Sequence, residues 1–279
     1  PQAHGGFCRW IVRDKCLIPA RQPGGRNARS EGTMLDLETW QFGAFGLIFV
    51  WSGFVRSGLG FGGAALALPM LLLLVDNPLT VMPILAVQLL VFSAVSVVTR
   101  LDQVDWPYLL RSLPLLLPFT IAGVLGLLNL PGSILSIMVY AISATYAISY
   151  LSGFEFKSKS QLADWCLLAL GGYASGTSLI GAPLIAAVYL RHLPRERLRE
   201  TLIVLWGILV IFKMSAFIYA GVDLQLRHQV WLLPCATLGH CLGLWLHRQL
   251  VRTPGDLFMR AIGAGLLTVT LAGLWLNFT

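Results

Sequence analysis

Along this chain, long apolar runs are separated by short polar breaks. Six runs, at residues 79–99, 112–128, 133–151, 200–220, 229–246 and 257–278, approach the length of about 20 mostly apolar residues that a helix needs to cross a bilayer. They predict six membrane helices. Two further apolar regions, 41–75 and 162–190, are interrupted at their centres. The first contains Ser57-Gly58-Leu59-Gly60-Phe61-Gly62-Gly63. The second contains Gly171-Gly172 and then Gly176-Thr177-Ser178-Leu179-Ile180-Gly181-Ala182-Pro183. Glycine and proline weaken helix interiors. Irregular backbone at membrane depth survives only where protein or a water-filled cavity surrounds it. The arms 162–174 and 179–190 are each too short for a full span. A hairpin that leaves by the face it entered fits them, and so does one long kinked helix.

Composition removes the soluble alternative. Hydrophobic residues are 56% of the 279 and charged residues 12%, with a mean hydropathy of +0.74. A soluble domain carries about 25% charged residues to cover its surface. The fold class expected is therefore all-α: a polytopic membrane helix bundle. The formal charge of +7 is read by position against the membrane rather than as a nucleic-acid footprint.

Charge position bears on the two broken regions. If both are re-entrant hairpins, four loops share one face. These carry Arg100 and Arg111, then Lys157 and Lys159, then Arg191, Arg195, Arg197 and Arg199, then Arg248, Arg252 and Arg260. That makes eleven basic residues against Arg227 alone on the other face, counted from Met34. If each region instead crosses once, the loops divide five against seven. The positive-inside rule favours the hairpins, with the basic face cytoplasmic and both termini outside. Residues 1–33 are basic and lack an apolar period or a signal-peptide core. They are expected to be a disordered leader lying upstream of a natural start at Met34, with a true basic tail as the alternative.

The chain also resembles itself. Leu116-Leu117-Pro118 with Gly123 matches Leu232-Leu233-Pro234 with Gly239 at an offset of 116. Gly63 and Gly181 match at 118, as do Val104-Asp105 and Val222-Asp223. The order and offset predict a first repeat at 34–155 and a second at 156–279. The loop after Val104-Asp105 lies on the basic face and the loop holding Val222-Asp223 on the poor one, so the halves are expected to insert in opposite senses. Inverted repeats, each with a broken segment, point to a secondary transporter whose site lies near the midplane.

Gly58-Leu59-Gly60-Phe61-Gly62-Gly63, followed by Leu68-Pro69, resembles the first signature of the TauE/SafE sulfite-exporter family. Gly176 to Gly181-Ala182-Pro183, with Tyr189-Leu190, resembles the second. Val104-Asp105-Trp106, and Pro234 with Gly239 and Gly243, are similar to that family too, so that the resemblance covers residues 41–276. It implies a multi-pass protein of the cell (inner) membrane that exports sulfite, sulfonates or similar small sulfur-containing anions without ATP. The chain departs from the family pattern at Gly176-Thr177-Ser178, where a more glycine-rich run is usual, and at Arg56.

Ionisable residues inside a membrane are functional candidates by default. Arg56 abuts the first break and Lys213 lies deep in the run 200–220, whereas no Asp or Glu lies deep in an apolar run. Cations without carboxylates suit an anion, not a metal ion that wants oxygen ligands. Gly60, Gly62, Gly63 and Gly181 allow close approach of backbone N–H groups. A helix beginning after each break would aim its positive end at a ligand. Thr177 and Ser178 add hydroxyl donors, and Gln88 lies on a neighbouring helix. These nine residues form the expected substrate-binding set.

No catalytic residue, metal site, cofactor or nucleic-acid partner is expected. The partners are a small anion and the lipid bilayer, and a homo-oligomer is compatible with the pattern. The competing classes are an intramembrane enzyme and a non-transporting assembly subunit. Gly176-Thr177-Ser178-Leu179-Ile180 lacks the last glycine of a serine-nucleophile turn, and Cys166, Cys235 and Cys241 have neither metal nor redox spacing. The duplicated breaks disfavour a passive subunit.

Topology gives the first test. Single cysteines placed at Arg195 and Arg227 are expected to react with a membrane-impermeant thiol reagent from opposite sides of the membrane. Labelling of both from one side would remove the membrane helix 200–220 between them.

Overall fold

The computed structural model describes residues 38–59, 63–75, 77–98, 100–153, 160–250 and 256–278; the basic leader lies outside them. These residues form an all-α bundle. Its helices are α1 (Thr39–Leu59), α2 (Gly63–Leu71), α3 (Pro78–Val98), α4 (Trp106–Asn129), α5 (Gly132–Ser152), α6 (Gln161–Ser178), α7 (Ala182–His192), α8 (Arg195–Tyr219), α9 (Leu226–Leu250) and α10 (Asp256–Phe278). Among the described residues, Pro78–Val95, Trp106–Asn129, Gly132–Ser152 and Glu196–Tyr219 are long and apolar enough to cross a membrane. The remaining two predicted runs are helical as α9 and α10.

Local chemistry sets several boundaries. Asp105 caps α4 by accepting from the Tyr108 N–H at 3.1 Å, and Pro107 occupies the first turn, where a missing N–H costs nothing. Ser160 caps α6 through the Ala163 N–H. Gly153, at φ 67°, ends α5 in the left-handed conformation that glycine adopts freely. α4 starts six residues before the apolar run that predicted it, because Asp105 and Pro107 supply a helix start before the hydropathy rises.

Large apolar side chains point outward on many helices, including Leu47 at 73% exposure, Val230 at 79% and Ile148 at 57%. In water such a surface would drive association, whereas against lipid tails it is neutral. Helix association then relies on close contact between backbones. α1 packs along α9, and α4 along α6. Gly53, Gly239 and Gly243 line the first seam: a Cβ on Gly53 would overlap the Ala236 carbonyl, one on Gly239 the Val50 carbonyl and one on Gly243 the Phe54 carbonyl. Gly123, Gly172 and Gly176 line the second. There a Cβ on Gly172 would stand 2.9 Å from the Leu116 carbonyl oxygen, and one on Gly176 would overlap that of Thr120. α3 faces α8 and α5 faces α10 between these pairs.

The loops at one end are tied together by ion pairs. Glu200 is buried and meets Arg100 at 3.6 Å and Arg199 at 3.5 Å. Arg197 meets Asp105 at 3.7 Å, and the Asp105 N–H donates to the Thr201 hydroxyl at 2.9 Å. The segments 100–111 and 191–199, two of the basic loops, therefore touch at one end of the bundle.

The seam predicts its own sensitivity. Gly239→Ala is expected to destabilise the purified protein by about 1–3 kcal/mol, the cost of overpacking an interior. Gly265, whose Cβ would meet nothing within 4 Å, is expected to tolerate alanine with equal or higher stability. Thermal unfolding in detergent checks both; equal midpoints for the two variants would contradict the close seam.

Candidate functional site

The centre of the bundle is organised by two reversals of the chain. α6 runs to Ser178, four residues beyond the predicted arm. Its glycines stay helical because α4 packs against Gly172 and Gly176 and α7 against Gly171. Leu179 then takes a left-handed conformation at φ 61°, a cost of order 1–3 kcal/mol for a residue with a side chain. α7 returns antiparallel along α6. Near the turn a Cβ on Gly181 would overlap Ser175 and the Gly171 carbonyl, and further along one on Gly171 would stand 2.6 Å from Ile185. At the base Asp164 holds Arg191 at 3.0 Å and His192 at 2.9 Å. α2 lies against α1 in a similar way: a Cβ on Gly63 would be 2.6 Å from the Ser52 carbonyl and 2.9 Å from Arg56 Cβ.

Both reversals border one cavity, with about 870 Å³ of empty space including the part open to solvent. Arg56, Ser57 and Gly63 to Ala65 come from the first; Ser175, Leu179 and Ala182 come from the second. The N-terminal turns of α2 and α7 therefore both reach it, with backbone N–H groups that have no partner inside their own helices. α3 contributes Phe92 and Ser93, α8 contributes Arg199 and Trp206, and α9 contributes His240. Among the described residues, no carboxylate lines the cavity.

Arg56 is the principal charge. Its guanidinium lies 3.9 Å above the centre of the Phe92 ring, a cation–π contact. Its Nε and one terminal nitrogen, Nη2, are buried without a hydrogen-bond partner. A charged donor left in this state is costly unless something fills its valences. The Ser57 hydroxyl donates to the Gly53 carbonyl at 2.9 Å and also contacts His240 Nδ1, whose ring packs 5.2 Å from that of Phe92. Ser175 adds a buried hydroxyl without a partner.

The other expected residues are dispersed. Lys213 is 1% exposed and lies outside the cavity wall; its Nζ donates to the Ser175 carbonyl at 3.3 Å and lies 4.0 Å from Met82 Sδ. Among the described residues it has no carboxylate partner. Thr177 and Ser178 turn their hydroxyls onto their own helix, at the Tyr173 and Ala174 carbonyls. Gln88 is buried with both amide atoms unpartnered, one turn from Phe92 on the same face of α3. Gly63 borders the cavity, while Gly181 is consumed in packing against α6. Gly60 and Gly62 lie outside the described residues. Sequence reasoning missed Arg199, which it assigned only to a loop, and it missed Ser175. The expected set also lacked His240, which lies in the run 229–246. No local pattern separated these three from ordinary helix residues.

Comparison with known proteins gives one match. The model of the family described as sulfite exporter TauE/SafE matches residues 45–274. No curated protein and no solved structure gives a significant match. Because the matched stretch runs through both reversals and reaches from α1 into α10, the chain belongs to the sulfite exporter TauE/SafE family.

Proposed function

We propose that this protein is a multi-pass secondary transporter of the inner membrane that exports a small sulfur-containing oxyanion, sulfite, a sulfonate or a similar species, by alternating access. One observation carries the reading: Arg56 lines a cavity that no described carboxylate lines, and its Nε and Nη2 are buried without a hydrogen-bond partner. Supporting it are the N-terminal turns of α2 and α7, whose dipoles favour negative charge. Arg199 stands at the wall nearest the ion-paired end. An anion entering there would pass one guanidinium and meet the other.

The packing also supports the reading of the halves as inverted repeats. α1 pairs with α9 as α6 pairs with α4, and α3 with α8 and α5 with α10 sit between them. An exchange of the two halves maps these pairs onto each other. Rocking of one half against the other would then open the cavity alternately to each side.

Within this reading Lys213 acts through the backbone. It holds the end of α6, where Leu179 turns the chain, and so fixes the position of the second reversal rather than touching the anion.

Proteoliposomes containing the protein are expected to take up sulfite or a sulfonate down its gradient, and no flux of any oxyanion would defeat the proposal. Arg56→Gln is expected to raise the half-saturation concentration about 10- to 100-fold, as expected for losing a charge-assisted hydrogen bond of about 1.5–3 kcal/mol. Lys213→Met is expected to separate from it, lowering maximal flux at least about tenfold with a smaller change in half-saturation. Loss of affinity equal to that of Arg56→Gln would return Lys213 to the binding set.

A further inference from the structure

The cavity is rich in donors. Arg56 and Arg199 can only donate, and the turns of α2 and α7 present N–H groups. Besides the hydroxyls of Ser93 and Ser175, which can donate or accept, His240 brings the one ring nitrogen able to accept, and its hydrogen-bond partners indicate which nitrogen that is. The Ser57 hydroxyl has one hydrogen. It is directed at the Gly53 carbonyl, the usual bond of a helical serine to the carbonyl four residues back. The contact between Ser57 and His240 Nδ1 is satisfied at the same time only if Nδ1 carries a hydrogen and donates it to the serine oxygen. In a neutral ring this leaves Nε2 as a lone-pair acceptor. Nε2 makes no hydrogen bond among the described residues and is not among the buried unpartnered atoms, and His240 lines the cavity. The charged groups sharing the cavity are Arg56 on α1 and Arg199 on α8; from α3 come only Phe92, Ser93 and Leu89. A second ring proton would be a third positive charge with no carboxylate beside it.

We propose that His240 Nε2 is a specificity-determining acceptor, and that the preferred ligand is a monoanion carrying its own hydrogen-bond donor near the anionic oxygens. The inference rests on the anion-site reading above. Arg56 would take the anionic oxygens, and Nε2 would take a hydroxyl or amino hydrogen. A hydrogen-oxyanion fits, as does a sulfonate with a neighbouring hydroxyl. A fully deprotonated dianion leaves Nε2 facing a lone pair, and a donor-free sulfonate leaves it unsatisfied.

The test uses the full chain in detergent and reads ligand-induced thermal stabilisation. 2-Hydroxyethanesulfonate is expected to bind about tenfold or more tightly than ethanesulfonate, which differs by one hydroxyl. In His240→Asn that ratio is expected to fall toward one, and in His240→Gln, which keeps an outer acceptor, to recover in part. Ser57→Ala, which releases Nδ1, is expected to reduce the ratio and serves where His240→Asn does not fold. Hydrogensulfite distinguishes the source of the donor: weakening in His240→Asn assigns the acceptor to an acid hydroxyl as well, and no weakening assigns it to a hydroxyl on carbon. A wild-type ratio near one, or a ratio unchanged in His240→Asn, overturns the inference. No stabilisation of the wild type by any of the three anions would instead overturn the anion site itself.

Discussion

A helix that ends inside a membrane bundle leaves its last carbonyls without partners in its own ladder, and this constraint governs the centre of the molecule. α6 ends in this way at Ser178. Two donors converge on its Ser175 carbonyl, and two hydroxyls brace the turn before it. Leu179 bends its own N–H back to the Ser175 carbonyl at 3.2 Å, the Thr177 and Ser178 hydroxyls donate one turn back, and Lys213 reaches across from α8 to Ser175. A lysine buried without a carboxylate would be untenable in hydrocarbon. At the negative end of a helix dipole it has a partner that carries no formal charge. The unusual residues of the second reversal thus explain one another: the left-handed leucine, the inward hydroxyls and the buried cation.

The same economy of backbone governs the outer shell. Lipid offers no hydrophobic force between helices, so the seams α1–α9 and α4–α6 depend on glycines that let carbonyls approach to where a Cβ would stand. Those seams place α1 and α6, the two helices that precede the reversals. A site shared by two reversals is only as well defined as the seams behind them. This is why glycines well outside the cavity, such as Gly239, belong to the same argument as Arg56.

Much of this was legible in the sequence, and what escaped it has physical causes. The two glycine-rich interruptions, the buried Arg56 and the buried Lys213 stood out because each breaks a rule of apolar helices. The length of α6 did not, because helix propensity counts Gly171, Gly172 and Gly176 as breakers, whereas close packing on α7 for the first and on α4 for the other two holds them helical. Thr177 and Ser178 read as ligand donors because a sequence does not show where a hydroxyl turns, and within a membrane helix the carbonyl four residues back is its nearest acceptor. Arg199 read as a loop charge because it stands next to Glu200 near a helix start. Only the convergence of α8 with the two reversals brings it to the cavity.

The two halves finally differ in how they use a buried cation. In the first, Arg56 lines the cavity and its buried Nε and Nη2 have no hydrogen-bond partner. In the second, Lys213 turns away from the cavity wall and spends its charge on the backbone. The choice of side chain suits each task. A guanidinium has five donors in a plane and keeps some free even while stacked on Phe92, whereas an ammonium is a compact point that one carbonyl and the end of a helix dipole can hold. Pseudo-equivalent reversals therefore need not be equivalent sites. On the proposed reading, one half would present charge to the ligand, and the other would keep the turn in place so that this charge is met by a wall of fixed shape.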